Sequence, residues 1–449
     1  MARRLLSRKI IRILLVLLVC FILIQFIRPS LDNPPVTGDL QAPVEVKSIL
    51  VRACYDCHSN ETKLAWFDKP APAYWLVAVH VKEGRELLNF SHWDSLTADQ
   101  RKGKLFESLN QIVFNEMPLS QYTTFHGDAR VSGDDIKVLR KYLASLAPPK
   151  LADSAVIKAA DEQYVKWTKN ESAADVSPEF NGMVFMPDYK NWRPISTSER
   201  WDNGTMRLIM GNPVAVKAIN EGHTNPWPDG TAFAKVAWKQ LLRPTGEIEP
   251  GEFVQVEIMV KDQNKYANTD GWGWGRWKGD QLKPYGKDRS FVSECMHCHQ
   301  PMKNNDFTFS LPMDRHVVVQ PDSTDRRPGA REFHPLDWRV ITSRIDKSKG
   351  TMSILYGDTN AVTSARKGSL SDLSTLTLVT WTQKEDEHWY GANIPSAVQS
   401  VETMSFGLNG EGYIFSHYEG QPLQKKEVDA AYRKERIAYL TGQRASVMP

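Results

Sequence analysis

Cysteine is scarce in this chain, and its few copies are unevenly spread. The 449 residues contain five cysteines, too few for a disulfide-rich scaffold. Cys20 lies in an apolar N-terminal run, and the other four form two pairs, each with two residues between its members. A strong excess of positive charge is also missing, because the net charge is only +3. This near balance argues against a surface that binds nucleic acid.

Each cysteine pair is followed directly by a histidine. The two motifs are Cys54-x-x-Cys57-His58 and Cys295-x-x-Cys298-His299. At this spacing two thiols can bond to the vinyl groups of a c-type haem while the adjacent imidazole ligates the iron. The alternative, half of a zinc site, would require further ligands at suitable spacing, and no other cysteine remains outside the N-terminal run. The sequence therefore predicts two covalently attached c-type haems.

The one long apolar run lies at the N-terminus. Five basic residues between Arg3 and Arg12 precede the run from Ile13 to Ile27, which only Gln25 interrupts. No small-x-small cleavage site follows, so residues 1–30 are predicted to be an uncleaved signal-anchor, with a cleaved signal peptide as the alternative. Both would export the chain. The prediction is a single-pass protein of a bacterial inner membrane, with the bulk of the chain in the periplasm.

Residues 31–150 are predicted to form a small, mostly helical domain around the first haem motif. Its text, including CYDCHSNET, APAYWL and EGRELLNFSHW, resembles a haem-binding domain that is often attached to other periplasmic modules. Met117, in the sequence NEMPL, resembles the methionine loop of small c-type cytochromes and is the predicted second iron ligand. His80, His92 and His126 are the alternatives. With both axial positions filled, such a site would transfer electrons.

The haem motif comes last, not first, in the segment 181–315. Residues 151–180 are predicted to be a linker. In the following segment apolar and polar residues alternate, as in Phe233–Trp238, and this alternation is typical of half-buried strands. Asn203-Gly204 is typical of a tight turn. Ordinary helical cytochromes c begin with the haem motif, so this order indicates a different fold. The whole chain is predicted to be a multidomain α+β protein.

The strand segment resembles cytochrome P-460 and its relatives, the β-sheet cytochromes c-prime. The matching text spans about residues 186–313 and includes Tyr189, Trp192, the PDGT turn from Pro228 and the MVKD segment from Met259. The resemblance implies an antiparallel sheet packed over a five-coordinate c-type haem. It also implies oxidation of hydroxylamine to N2O or NO, with electrons leaving one at a time.

Three residues match positions that carry chemistry in that family. Lys235 matches the lysine that cytochrome P-460 enzymes cross-link to the porphyrin; the alternative is a lysine that faces outward or only approaches the haem. Glu257 matches a distal carboxylate that accepts protons from the substrate, work for which a raised pKa in an apolar pocket would be suitable. Its alternative is a glutamate on the sheet surface. Arg207 matches a distal arginine that would hydrogen-bond a bound nitrogen ligand, and its alternative is a surface salt bridge.

The segment 316–425 repeats the sequence pattern of the segment 181–315 but lacks its haem motif. KGTMSILYGDTNAV echoes NGTMRLIMGNPVAV, and VQSVETM echoes VQVEIM. The correspondence places Ser353, Leu378 and Glu402 at the positions of Arg207, Lys235 and Glu257. Because the cytochrome P-460 family forms dimers, this degenerate repeat is hypothesised to complete an internal pseudo-dimer. Residues 426–449 are predicted to be a C-terminal helix and tail.

Three functions are consistent with these features. The first is a dihaem oxidoreductase that acts on hydroxylamine or a similar small nitrogen compound and passes electrons to the His/Met haem of the first domain, then to a periplasmic or membrane acceptor. The second is a protein that binds NO or CO without turnover. The third is a simple electron carrier. Lys235 and Glu257 favour the first, whereas a sixth ligand to the second iron would favour the third.

Overall fold

Residues 2–169, 175–288, 290–314, 317, 335–368, 375–406 and 413–449 are described by the computed structural model. They divide into two units, residues 1–146 and residues 147–449. Helices build the first unit, and an antiparallel sheet dominates the second. The predicted multidomain α+β class is therefore confirmed.

Local chemistry and a small apolar core shape the helices of the first unit. These are α1 Ala2–Ile24, α2 Val44–Ala53, α3 Tyr55–His58, α4 Ala73–Leu87, α5 Ala98–Val113, α6 Ser120–Phe125 and α7 Gly133–Leu146. A capping box begins α5, because the Thr97 hydroxyl accepts from the Gln100 N–H at 3.3 Å and the Gln100 side chain accepts from the Thr97 N–H at 2.9 Å. Leu50, Phe106 and Leu109 are buried in the core.

The predicted membrane span is wrong. In the described part of the chain, no helix is long and apolar enough to cross a membrane. Helix α1 has 23 residues, but basic residues occupy its first half, and its apolar part from Ile13 to Ile24 is only about 18 Å long. The hydrocarbon core of a bilayer is about 30 Å thick. The single-pass inner-membrane location predicted from this run fails for the same reason.

The second unit is built on twelve strands and five helices within its described residues. The strands are β1 Arg193–Arg200, β2 Thr205–Gly211, β3 Ala232–Leu242, β4 Glu247–Lys261, β5 Trp272–Lys278, β6 Lys283–Pro284, β7 Arg339–Asp346, β8 Thr351–Gly357, β9 Leu376–Glu385, β10 Ala392–Phe406, β11 Tyr413–Glu419 and β12 Gln424–Lys426. The helices are α8 Ser154–Thr168, α9 Pro213–Asn220, α10 Ser290–His299, α11 Thr359–Arg366 and α12 Ala430–Thr441.

Most of these strands close into an antiparallel barrel. They pair in the order β1–β2–β3–β4–β7–β8–β9–β10, and β10 pairs back onto β1. β5 and β6 extend the sheet from β4, and β11 and β12 extend it from β10. The segments predicted as two domains, 181–315 and 316–425, therefore contribute to one closed sheet.

The barrel consists of two halves with the same order of elements. The first half runs β1–β2–α9–β3–β4–β5–β6–α10, and the second runs β7–β8–α11–β9–β10–β11–β12–α12. Caps recur as well: Asn212 accepts from the Ala215 N–H at 2.9 Å to begin α9, and Asp358 accepts from the Ala361 N–H at 2.7 Å to begin α11. β4 of the first half pairs with β7, and β10 of the second half pairs with β1.

Alternation along the strands gives the sheet an inner and an outer face. The inner face packs the barrel core, where Trp238 and Trp381 are fully buried. Each half also carries an apolar cluster on its outer face. The cluster of the first half contains Cys295, and that of the second half contains Leu440. The second haem motif therefore lies outside the barrel, against the outer face of the first half.

Helix α12 has the place in the second half that α10 has in the first. Each helix follows a short strand and an aspartate, Asp288 or Asp429, whose side chain accepts a backbone N–H at 2.8 or 2.7 Å. The eleventh residue after each aspartate is His299 in the first half and Leu440 in the second, and the Leu440 side chain is fully buried. The segment predicted as a C-terminal helix and tail thus packs as part of the second half.

Candidate haem sites

His58 ends α3, and two carbonyl groups hold its ring. Its Nδ1–H donates to Gly84 O at 2.9 Å and to Leu88 O at 3.1 Å, at the end of α4. These bonds fix Nδ1 as the protonated nitrogen and leave the lone pair on Nε2. Burial, partly offset by the two bonds, lowers the pKa of His58. The ring is therefore a neutral imidazole in the form that binds iron.

Met117 lies in the turn between α5 and α6, where it is half-buried. Two of the rival histidines are engaged elsewhere. His92 hydrogen-bonds through both ring nitrogens, at 2.7 and 3.3 Å, and His126 bonds Asp68 through Nε2 at 3.2 Å. His80 lies on α4, the helix that holds the Nδ1 edge of His58. These contacts favour Met117, whose role as a ligand stays a prediction.

His299 ends α10, and the following loop holds its ring in the same way. Its Nδ1–H donates to Phe307 O at 2.6 Å, which leaves the lone pair on Nε2. The ring of Trp274 lies against it, with the ring centroids 4.4 Å apart. Burial lowers the pKa of His299 to about 4, although the bond to Phe307 opposes this. His299 is therefore also a neutral imidazole at neutral pH.

The cysteines of both motifs form no disulfides. Cys295 and Cys298 are three residues apart on α10, so they lie on one side of the helix. Burial raises the pKa of Cys295 to about 12. No group of three or more His, Cys, Asp or Glu side chains suited to a metal ion occurs in the described parts of the chain. The zinc alternative therefore has no ligand set there.

A row of side chains crosses the outer face of the first half near His299. Strands β2 to β5 align Ile209, Lys235, Glu257 and Arg276 as direct cross-strand neighbours. Lys235 Nζ forms an ion pair with Glu257 Oε2, and Arg276 Nε lies 3.5 Å from Glu257 Oε1. Lys235 and Glu257 are close enough to His299 to shift its pKa in opposite directions. The row therefore belongs to the same site as the second haem motif.

The pKa values of Lys235 and Glu257 are both shifted by burial and by neighbouring charges. Its side chains are only 28% and 18% exposed. Burial lowers the pKa of Lys235 to about 8, although Glu257 opposes this. Burial alone would raise the pKa of Glu257, but the charges of Lys235, Arg276 and Arg207 hold it well below its usual range. The pKa of Glu257 is therefore lowered, not raised as would suit a proton acceptor, because three cations surround this carboxylate.

Arg207 lies on the same outer face, two residues before Ile209 on β2. Burial lowers its pKa to about 10. Its Nε is buried and has no hydrogen-bond partner among the residues that the structure describes. A buried donor without a partner costs free energy. Arg207 is therefore a candidate ligand-binding residue on this face.

Two family matches account for these sites. Residues 19–145 match a haem-binding domain, and residues 186–310 match cytochrome P-460. The chain joins a haem-binding domain to a cytochrome P-460 domain. Both resemblances predicted from the sequence are thereby confirmed. No curated protein matches the chain. The cytochrome P-460 match ends before β7, so a degenerate second copy stays a prediction.

The protein is a haem cytochrome, and its residues fit that group. Two thiols beside a neutral imidazole are the donor set of a c-type haem. The cytochrome P-460 domain offers Cys295, Cys298 and His299, and the haem-binding domain offers Cys54, Cys57 and His58. The unpartnered Nε of Arg207 adds a donor on the same face as the second set.

Sequence reasoning missed Arg276. This residue lies on β5, which reads WGWGRWK, and side chains two residues apart on a strand share a face. Arg276 therefore lies on the outer face with Trp272 and Trp274. A cation among tryptophans on a half-buried strand was the signal that would have identified it.

The outer face of the second half differs from that of the first half at the position that corresponds to Lys235 and Glu257. Glu402 lies opposite Leu378, as Glu257 lies opposite Lys235. Arg436 of α12 donates to the two carboxylate oxygens of Glu402 at 2.8 and 2.6 Å. Helix α12 therefore packs directly over this glutamate.

Adding a methyl group at Gly84 should disturb the haem-binding domain. A Cβ there would lie 2.8 Å from Cys57 O, so Gly84→Ala must displace either the haem motif or the carbonyl that holds His58. We expect a loss of about 1–3 kcal/mol in unfolding free energy, measured by thermal unfolding followed by circular dichroism.

Gly103→Ala is the matched control for this prediction. Gly103 lies within α5, and an added Cβ meets nothing within 4 Å. The change should stabilise the helix by about 0.5–1 kcal/mol. Melting temperatures that move in the same direction for both variants would refute the role of Gly84.

Proposed function

We propose that this protein is a dihaem c-type cytochrome whose cytochrome P-460 centre oxidises hydroxylamine or a related small nitrogen compound. The observation that carries the proposal is the cluster of Arg207, Lys235, Glu257 and Arg276 beside His299. Charged side chains on a sheet are normally solvated. Here they are half-buried against an aromatic cluster, an arrangement that costs free energy and is typical of functional sites.

Each of these residues has a defined task in the proposal. The haem, when bound, supplies one-electron oxidation chemistry. Arg207 donates hydrogen bonds to a ligand atom that carries negative charge. Lys235 is the residue that would bond to the porphyrin, and its pKa of about 8 makes the neutral amine accessible near neutral pH. The ionised Glu257 orients Lys235 and balances the surrounding positive charge.

A covalent bond between Lys235 and the porphyrin would change the role of Glu257. Such a bond would remove the ammonium group that contributes most to holding the pKa of Glu257 down. Burial would then raise the pKa of this carboxylate toward the range of a general base. In this site the cross-link and the distal base implied by the family resemblance are thus physically linked.

The proposal makes the haem-binding domain the electron acceptor. Its iron would be ligated by His58 and Met117, and a thioether ligand raises the reduction potential of a haem. A higher potential favours transfer from the cytochrome P-460 centre to this haem, and from it to an external one-electron acceptor. The contacts of His92 and His126 described above support this ligand pair.

The proposal also makes the second half of the barrel the structural partner in an internal pseudo-dimer. Support comes from the two equivalent strand pairings, β4 with β7 and β1 with β10. Leu440 at the position of His299 gives this half no iron ligand there. The second half would therefore complete the sheet without carrying a haem.

Binding of NO or CO without turnover is the second candidate function. The low pKa of Glu257 favours it, because a carboxylate held so firmly in its ionised form is a weak base. As long as Lys235 is not bonded to the porphyrin and its ammonium group stays paired with Glu257, Glu257 remains a weak base, and Arg207 can hold a ligand without base-assisted oxidation.

The optical spectrum of the purified protein tests the proposed function. For the dithionite-reduced protein we expect a red-shifted Soret shoulder that disappears in Lys235→Ala, and we expect hydroxylamine to reduce the oxidised protein. Two ordinary c-type spectra that the substitution leaves unchanged, with no reduction by hydroxylamine, would overturn the enzyme and support gas binding.

A further inference from the structure

The carbonyl that holds His299 lies in a strained loop. Phe307 O accepts the His299 Nδ1–H, and both Asp306 and Phe307 have positive φ angles, 46° and 61°. Residues with a Cβ seldom adopt this left-handed conformation, and each costs of order 1 kcal/mol or more. Two in succession require specific contacts that hold them.

A buried ion pair supplies those contacts. Lys261 Nζ lies 2.7 Å from Asp306 Oδ1, and their side chains are only 3% and 9% exposed. Asp306 also accepts the Trp227 backbone N–H at 2.8 Å and the Trp272 Nε1–H at 3.3 Å. The Lys261 ammonium lies 4.9 Å from the centre of the Trp272 ring. Asp306 is therefore tied to three separate parts of the cytochrome P-460 domain.

General stabilisation does not account for this pair. Removing two charges from water costs about as much as their attraction returns, so a buried ion pair is weak evidence of a stabilising role. Its position is specific, because Asp306 directly precedes the residue whose carbonyl binds His299. Groups that orient a metal-binding imidazole commonly lie one step behind it and control how strongly it donates.

We propose that Lys261 and Asp306 are positioning residues that hold the Phe307 carbonyl against His299 Nδ1–H. The hydrogen bond increases the electron donation of Nε2 and so stabilises the oxidised iron of the haem on His299. The inference rests on the proposed haem at Cys295 and Cys298. It extends that proposal by assigning control of the potential at this centre to a buried ion pair outside the Arg207–Lys235–Glu257 cluster.

The test uses the full-length protein with its haems attached. Asp306→Asn and Lys261→Met should each raise the reduction potential of the haem on His299 in a spectroelectrochemical titration. Each should also lower the Fe–His stretching frequency in the resonance Raman spectrum of the reduced protein, because the imidazole becomes a weaker donor. Lys261→Arg keeps the positive charge beside Asp306, so its reduction potential and Fe–His stretching frequency should lie close to the wild-type values.

Glu402→Gln is the matched control, because it removes a buried carboxylate that is ion-paired in the second half of the barrel. It should change the melting temperature but neither the potential nor the Raman band. If Asp306→Asn and Lys261→Met behave like this control, the pair is only structural and the inference is overturned. The haem count per chain and the response to hydroxylamine are measured separately, so failure of the proposed function is distinguishable.

Discussion

A chain with Cys295→Ser and Cys298→Ser should retain one haem instead of two after denaturation. The remaining haem would be attached at Cys54 and Cys57, because thioether bonds survive unfolding whereas iron ligation does not. The intact mass and the pyridine haemochrome absorbance per chain measure this count. The expected loss is one whole haem per chain, because each cysteine pair is the only covalent attachment point beside its iron-binding histidine.

Three further variants complete this experiment. The double variant Cys54→Ser, Cys57→Ser should keep only the haem attached at Cys295 and Cys298. The variant with all four motif cysteines changed to serine should keep none. Cys20→Ser, which changes a cysteine outside both motifs, should leave two haems. A wild-type chain that carries a single haem, or a count that does not respond to one of the pairs, would refute the dihaem proposal.

Glu257→Gln should lower the rate of hydroxylamine oxidation by about 100-fold, because a positioned side chain that handles protons contributes at least about this factor. Glutamine has nearly the same shape but can neither accept a proton nor balance the charges of Lys235, Arg276 and Arg207. The rate is measured as hydroxylamine-dependent reduction of a one-electron acceptor, normalised to the haem content of each variant.

The equivalent substitution in the second half provides the comparison. Glu402→Gln changes the residue at the same register position, and it should leave the rate within about twofold of wild type because this glutamate is paired with Arg436 and has no haem motif beside it. Equal losses in both variants would indicate a loss of barrel stability instead of a loss of chemistry. An unchanged rate in Glu257→Gln would remove this carboxylate from the proposed reaction.

Short-range sequence patterns singled out several residues that the structure brings together near His299. The two haem motifs depend on spacing within five residues, and the structure holds His58 and His299 through Nδ1 in the same way. The alternation of apolar and polar residues gave Lys235 a defined face of β3 and Glu257 a defined face of β4. The register between the two strands then makes them direct neighbours. The repeated text likewise placed Ser353, Leu378 and Glu402 at positions that the register of the second half reproduces.

Features that depend on distant contacts could not be predicted in the same way. The pKa of Glu257 is low because Lys235, Arg276 and Arg207 surround it, and the sequence does not reveal that Arg276 is a neighbour. Asp306 and Lys261 are far apart in the chain. Lys261 belongs to the MVKD segment that carries the family resemblance, but Asp306 belongs to no motif, and no sequence pattern pairs the two. The membrane prediction failed for a local reason, since the apolar residues that follow Arg12 in α1 are too few to span a bilayer.

The closed sheet makes the two halves of the second unit dependent on each other. A fragment that ended after the haem motif would expose the backbone groups of β1 and of the first residues of β4, and such open edges readily pair with other chains. The fragment would then recruit a second copy of itself to fill both edges. The second half is therefore needed for the edge strands β7 and β10 that close the sheet, whichever side chains it carries at positions such as Leu378 and Leu440.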